Sequence, residues 1–345
     1  MTQRVFITRP ILEKGIEILE HAGVDVAIGQ PDGDAPIERG AILAGLRRAD
    51  ALICHLSEPI DREVLAAGER LLGVATYAVG VNNIDLAAAT ELGLPVSNTP
   101  DVLTDATADL TWALLLAVAR HIPAAHRFTA EGRFRVWNPV LFLGDDVGPG
   151  GSGHPKVLGV LGFGRIGQAV ARRAQGFRME VLAHDPGARA AIEESGLARW
   201  TEFEGLIARS DFLSLHVPLT EETRHRIGER ELRAMKRTAY LINAARGPIV
   251  DEVALVRALR EGWIAGAGLD VYEDEPRLAP GLAELPNAVL APHIGSATRE
   301  TRAEMAAIAA RNTLAHLRGE HAPQVVNPEV YAREAWKHRH AEGRP

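Results

Sequence analysis

Apolar positions along the chain come in short blocks separated by polar, helix-favouring stretches. "RVFIT" (Arg4 to Thr8), "VDVAI", "ALICH", "LGVAT" and "LPVSN" read as strands, with helices over Ile11 to Ala22 and Ile37 to Arg47 between them. A second series starts at "VLGVLGFG" and runs through "MEVLAH", "DFLSLH", "AYLINA", "GAGLDV" and "NAVLAP". Strands alternating with helices in this way build parallel sheets covered by helices. The chain therefore reads as α/β, with two doubly wound parallel-sheet domains.

The segments outside these two series set the domain plan. "TPDVLTDATADLTWALLLAVARHI" predicts a helix capped by Thr104 or Asp105 and apolar on nearly every side, which suits a domain junction. Its most apolar run, residues 110 to 119, is about half of what spans a bilayer. "GDDVGPGGSGHPK", with the Gly-rich stretch 147–155, reads as an exposed connection. "RETRAEMAAIAARNTLAHLRG" predicts a strongly amphipathic helix that returns to the first unit and buries one apolar face there. The first domain is then split in sequence, 1–101 with 298–345, around an inserted domain at 102–297. "REAWKHRHAEGRP" reads as a loose charged tail; its pair His338 and His340 could bind a metal, but a mobile tail is the favoured reading.

Composition narrows the function class. The 345 residues suffice for roughly two domains. A formal charge of -7, no basic cluster and 5% aromatic residues argue against a nucleic-acid partner. Cys54 is the single cysteine, so an intramolecular disulfide is impossible and no metal site is expected. "MTQRVFITRP" reads as a first strand rather than a leader. A soluble, cytoplasmic protein with no membrane partner is the expectation.

Four motifs carry chemistry. Gly162, Gly164 and Gly167 form G-x-G-x-x-G after an apolar strand and at a helix start, where the glycines permit the tight turn, close approach of a pyrophosphate and close helix packing. Asp185 ends the next strand, 23 residues beyond Gly162, so its carboxylate can bind the ribose hydroxyls of NAD and repel the extra phosphate of NADP. NAD(H) is expected over NADP(H). Arg246, in "LINAARGPIVDE", follows a strand end and can grip a carboxylate with its planar fork, a surface ion pair being the alternative. "GAGLDVYEDEP" offers Asp270, Glu273, Asp274 and Glu275, any of which could pair with His293 in "LAPHIGSAT" and make it a general acid. The chain has 13 histidines and most must be structural, but His293, like Arg246, ends a predicted strand.

These residues resemble the D-isomer-specific 2-hydroxyacid dehydrogenases over nearly the whole chain, to about Tyr331. The matching segments are "NAARGPIVDE", "LDVYEDEP" and "LAPHIGSAT", spaced by 29 residues from Arg246 to Glu275 and 18 from there to His293. The resemblance implies a Rossmann coenzyme domain inserted in a flavodoxin-like substrate domain. It implies that Arg246 binds substrate, that Glu275 rather than Glu273 partners the histidine, and that His293 is the acid/base. It extends the cofactor site to Phe163, Arg165, Ile166, His216, Thr223, Ala244 and Ala245, with Val217 and Pro218 beside the adenine and Asp270 on the nicotinamide carboxamide. Val79 and Gly80 would offer N–H groups to the substrate carboxylate, and Leu56 would line its pocket. Trp137, in "FRVWNPVLFLG", looks like the tryptophan that reaches a partner subunit's active site, and a homodimer is implied.

Within the family, "TYAVGVNNID", "NTPDVLTDATADLTWALLLAVARHI" and "GWIAGAGLDVYEDEP" are most similar to glyoxylate/hydroxypyruvate reductases, which act on small 2-oxoacids. NADPH-preferring members of that group carry Ser-Arg type residues where this chain has His184-Asp185. D-lactate-type dehydrogenases remain an alternative. Phosphonate dehydrogenases use a lysine where this substrate loop has Ala78, and phosphoglycerate dehydrogenases call for additional basic residues. NAD-sensing corepressors share the fold as binding modules, but this chain shows no low-complexity arm or basic patch.

Overall fold

The structure is a computed structural model that describes residues 2–341. The chain forms two compact units, one made of the segments up to Leu103 and from Ala297 onward, the other of Thr104–Ser296. No helix among the described residues is long and apolar enough to cross a membrane.

The split unit runs β1 (Arg4–Ile7), α1 (Glu13–His21), β2 (Asp25–Ile28), α2 (Arg39–Leu46), β3 (Ala51–Cys54), α3 (Arg62–Ala67), β4 (Val74–Thr76), α4 (Leu86–Glu91) and β5 (Val96–Ser97). Its parallel sheet has the order β2-β1-β3-β4-β5, the flavodoxin-like arrangement. Alternation along the strands separates two cores. Phe6, Leu52, Cys54, Val74 and Val96 pack on one face, and Val5, Ile7, Ala51, Ile53 and Ala75 on the other. Asp61 and Asp85 accept from Val64 N and Ala88 N, which starts α3 and α4.

The continuous unit holds α5 (Thr104–Ala119), α6 (Ile122–Ala130), β6 (Val157–Leu161), α7 (Arg165–Ala174), β7 (Glu180–His184), α8 (Arg189–Glu194), β8 (Arg199–Trp200), α9 (Phe203–Arg209), β9 (Phe212–Leu215), α10 (Glu229–Ala234), β10 (Tyr240–Asn243), α11 (Glu252–Glu261), β11 (Gly266–Leu269) and β12 (Ala288–Leu290). These strands form one parallel seven-stranded sheet in the order β12-β11-β10-β9-β6-β7-β8. The order reverses between β6 and β9, as in dinucleotide-binding sheets. The sheet is again covered on both faces, Leu213, Leu241 and Leu269 facing one core and Val160, Phe212 and Ile242 the other. Strand β8 had no signal, because "RW" is too short and polar to show a period.

Two expectations are corrected. The helix of the "RETRAEMAAIAARNTLAHLRG" segment, α12 (Arg299–Leu317), belongs to the split unit, but its second half is buried nearly all round rather than along one stripe. Small alanines allow this: α12 packs on α1, β3 and β4, and a Cβ on Gly15 would lie 2.7 Å from the Ala306 carbonyl oxygen. The terminal segment is no loose tail as far as it is described. It forms α13 (Glu334–Arg339), whose Arg339 donates to the carbonyls of Leu92 (2.6 Å) and Leu71 (2.7 Å) while Trp336 meets Tyr331 edge-on. A guanidinium capping exposed carbonyls explains why a charged segment docks. Residues 342–345 of that expectation lie outside the described residues.

Candidate active site

Three loops leave the carboxyl ends of neighbouring strands β10, β11 and β12 in the continuous unit. After β10, the buried Asn243 accepts from Ala245 N (3.1 Å) and donates to the Arg246 carbonyl (3.0 Å), so one side chain shapes the turn that presents Arg246. Next in sequence, Gly247 lies hard against the β11 loop, where a Cβ would come within 1.7 Å of the Tyr272 carbonyl oxygen. Only glycine permits that approach.

After β11, Asp270 is almost fully buried and accepts from Ile294 N (2.7 Å) and Gly295 N (2.8 Å). It thereby holds the turn after β12, in which the His293 N–H donates to the Asp270 carbonyl and His293 adopts φ 53°. A left-handed histidine is a strained backbone, of the kind retained where a side chain must be aimed. Tyr272 adds a hydrogen bond from its hydroxyl to the Ala291 carbonyl at 2.8 Å.

The aimed side chain meets Glu275, with His293 Nδ1 2.8 Å from Glu275 Oε2 and the other carboxylate oxygen accepting from Tyr272 N at 3.0 Å. A carboxylate only accepts, so Nδ1 carries a proton and Nε2 is the nitrogen free to exchange one. Burial by itself would raise the Glu275 carboxyl, but the hydrogen bond and charge of His293, the Tyr272 N–H and Arg246 outweigh it and hold its pKa below the usual value. Burial lowers the pKa of Arg246 and the Glu275 charge opposes it; an arginine so shifted stays protonated at physiological pH. The guanidinium makes no ion pair among the described residues, and Nη1 donates to the Ala245 carbonyl, so the surface ion pair considered for Arg246 is not what the fold contains. Glu273 turns away to His225 Nε2 (2.5 Å), and Asp274 pairs with Arg277.

At the turn between β6 and α7, a Cβ on Gly162 (φ 90°) would lie 2.7 Å from the His216 backbone, and one on Gly167 would lie 2.2 Å from the Gly162 carbonyl oxygen. A Cβ on Gly164 would meet no protein atom within 4 Å. The first and third glycines are therefore demanded by the fold, whereas at the second the protein itself leaves room. With Gly164 as N-cap, the N–H groups of Arg165 and Ile166 open α7 beyond its internal ladder, and the donor set fits a pyrophosphate. Asp185 accepts from Phe163 N (2.9 Å) and Gly187 N (3.1 Å), which fixes its carboxylate beside this turn and also starts a short 3-10 helix. His216, Val217 and Pro218 follow β9, and Thr223 closes that loop through the Pro218 carbonyl at 2.7 Å.

In the split unit, Leu56 follows β3 and is 39% exposed. The Val79 and Gly80 N–H groups follow β4 and donate to no backbone carbonyl among the described residues. Asn98 Nδ2 holds the Val79 carbonyl at 2.8 Å. Trp137 belongs to the continuous unit and is 76% exposed, in a segment that also exposes Phe134, Val136, Val140 and Leu143.

Residues that shape the site without having been anticipated are Asn243, Gly247 and Tyr272. The first had a legible signal, an amide directly at the end of an apolar strand. The other two act by contacts between loops that spacing does not record. Among the described residues no group of His, Cys, Asp and Glu is arranged to hold a metal ion, and His340 Nε2 lies 3.2 Å from the His316 carbonyl oxygen.

Comparison with known proteins adds an independent finding. Residues 112–295 match the model of the D-isomer specific 2-hydroxyacid dehydrogenase, NAD binding domain. The chain is 51% identical to the glyoxylate reductase of Thermococcus kodakarensis over 96% of its own length and 98% of the relative's. A crystal structure of a Thermus thermophilus protein superposes with a TM-score of 0.85 at 43% identity, covering 94% of this chain and all of the other. The glyoxylate reductase from Paecilomyes thermophila superposes with a TM-score of 0.79 at 34% identity, covering 94% and 98%.

Proposed function

The chain belongs to the D-isomer specific 2-hydroxyacid dehydrogenase family, and from that premise we propose that it reduces a short 2-oxoacid, glyoxylate or hydroxypyruvate, to the D-2-hydroxyacid with NADH. The observation that carries this reading is the 2.8 Å contact of His293 Nδ1 with Glu275, on loops that neighbour the one bearing Arg246. When bound, the nicotinamide cofactor supplies the hydride for the carbonyl carbon. His293 delivers the Nε2 proton to the carbonyl oxygen as negative charge develops there. Glu275 accepts from Nδ1 and keeps the ring turned so that Nε2 is the proton-bearing edge offered to the substrate. Arg246 offers its remaining N–H groups to the substrate carboxylate and carbonyl oxygen, a preorganised positive charge in a half-buried setting. On the split unit, taken by itself, the Val79 and Gly80 N–H groups are the contacts we assign to a substrate carboxylate, and Leu56 the one we assign to its side chain.

The glycine turn takes the pyrophosphate, aided by Phe163, Arg165 and Ile166. Asp185, fixed by two backbone N–H groups, favours the free ribose hydroxyls of NAD(H) over a 2′-phosphate. His216 to Pro218, Thr223, Ala244, Ala245 and Asp270 line the rest of the cofactor. The exposed apolar segment around Trp137 supports a homodimer, since patches of this kind are usually covered. Initial rates with NADH and NADPH against glyoxylate, hydroxypyruvate, pyruvate and 3-phosphohydroxypyruvate test the reading. NADH-dependent turnover of glyoxylate or hydroxypyruvate is the expected result; NADH binding without reduction of any of them would overturn it.

A further inference from the structure

Glu58 is a carboxylate only 4% exposed. Asp50, the other buried acid among the described residues of the split unit, sits before β3 and joins Arg70 to the β1 backbone. Glu58 sits at the opposite, carboxyl end of the sheet. Its Oε2 accepts from the His55 N–H (2.6 Å) and the Thr8 hydroxyl (2.9 Å); Oε1 accepts from Arg9 Nε (2.8 Å) and, more weakly, from the Ser57 hydroxyl (3.4 Å). Arg9 also donates to Ser57 Oγ at 2.7 Å. On the other side, Asn83 Nδ2 donates to the carbonyls of His55 (2.9 Å) and Glu58 (2.8 Å), which ties residues 55–58 to the loop that follows Val79 and Gly80.

These contacts join the ends of β1 and β3. In the order β2-β1-β3-β4-β5 the connections reverse direction between those strands, and in open α/β sheets ligands bind where that reversal opens a crevice at the carboxyl ends. Burying a carboxylate is costly unless it is paired and fully hydrogen-bonded, so a buried one at a ligand-binding edge calls for a reason. Here the Arg9 pair and three further donors offset that cost, and what they hold in place is the backbone of His55, Leu56 and Ser57. Burial pushes the neighbouring His55 down to about 4, so at neutral pH the ion-pair partner of Glu58 is Arg9.

We propose that Glu58 is a positioning residue for oxoacid recognition, clamping the 55–57 loop and, through Asn83, the 79–84 loop into the one geometry that accepts a short substrate. The proposal rests on the functional reading above, which makes Leu56, Val79 and Gly80 substrate contacts. Glu58→Gln is the direct test, because it keeps the volume but turns one oxygen into an amide that faces two donors. The expected result is a KM for glyoxylate raised about tenfold with kcat within about threefold, and an unchanged Kd for NADH measured by fluorescence. Amide exchange at His55 to Ser57 should accelerate in the same variant. Should Glu58→Gln fail to fold, Thr8→Val removes a single donor, with an expected KM rise of about threefold.

An unchanged oxoacid KM in the folded variant would overturn the clamp, as would oxoacid KM and NADH Kd rising together. If wild-type protein binds NADH but reduces no 2-oxoacid, the functional reading itself fails and this proposal with it. The two failures are therefore told apart by the wild-type rates.

Discussion

Replacing Gly247 by alanine is a small change that should disconnect the catalytic loops from one another. The added Cβ would stand 1.7 Å from the Tyr272 carbonyl oxygen and 2.5 Å from Glu273 N, where real contacts are not found below 3.0 Å. The backbones on either side must therefore separate by roughly 1.3 Å, the difference between 3.0 and 1.7 Å. Arg246 is the residue before this contact, and the Tyr272 N–H holds Glu275, so the displacement moves the guanidinium relative to the His293–Glu275 pair. A misplacement of about 1 Å costs about a hundredfold in rate, equivalent to about 2.7 kcal/mol of barrier. Overpacking should also remove about 1–3 kcal/mol of stability, several degrees of Tm. The assay is kcat/KM for glyoxylate with NADH, alongside Tm and NADH affinity. Gly164→Ala is the control, because its Cβ meets no protein atom within 4 Å: Tm should hold while NADH affinity falls about tenfold. If Gly247→Ala keeps kcat/KM within about threefold of wild type while remaining folded, the argument from loop contact is refuted.

Three further outcomes are expected. His293→Gln should lower kcat by about a hundredfold to ten-thousandfold, the usual value of a positioned proton donor, with NADH binding nearly intact; a parallel loss of NADH binding would mean the histidine is structural. Asp185→Ala should raise kcat/KM with NADPH relative to NADH, and an unchanged ratio of the two would remove this carboxylate as the cofactor selector. Glu275 has a folded pKa held below the ordinary 4.5, so its contribution to stability is fully present above that value and is lost as pH falls through the lowered one. Urea midpoints of wild type and Glu275→Gln should therefore converge as pH falls below 4.5; a gap that widens on acidification would contradict the sign of the shift.

What was legible along the chain was what depends on local periodicity and turn chemistry. Among the described residues eleven of the twelve strands announced themselves as apolar blocks, most of them because a strand covered on both faces leaves no polar period to obscure it. The exception, β8, is a two-residue edge strand carrying Arg199. Gly162 and Gly167 were readable for the same reason, since a tight turn and a close helix write themselves into single positions. In the tail, charge along the sequence points to solvation, whereas Arg339 spends its charge on backbone carbonyls that only the folded unit brings within reach.

The sequence by itself determined that Arg246, an acidic group and His293 follow successive strand ends, because parallel strands deliver their carboxyl ends to one edge of the sheet. Spacing left open which acid meets the histidine; the family resemblance named Glu275, and the tertiary structure is what brings that one into contact. Glu273 and Glu275 are two residues apart in the same loop, and only the path of that loop against Gly247 and the backbone hold of Asp270 turn one toward His225 and the other toward His293. Distances across loops are set by contacts between residues far apart in the chain, and no spacing along the chain encodes them.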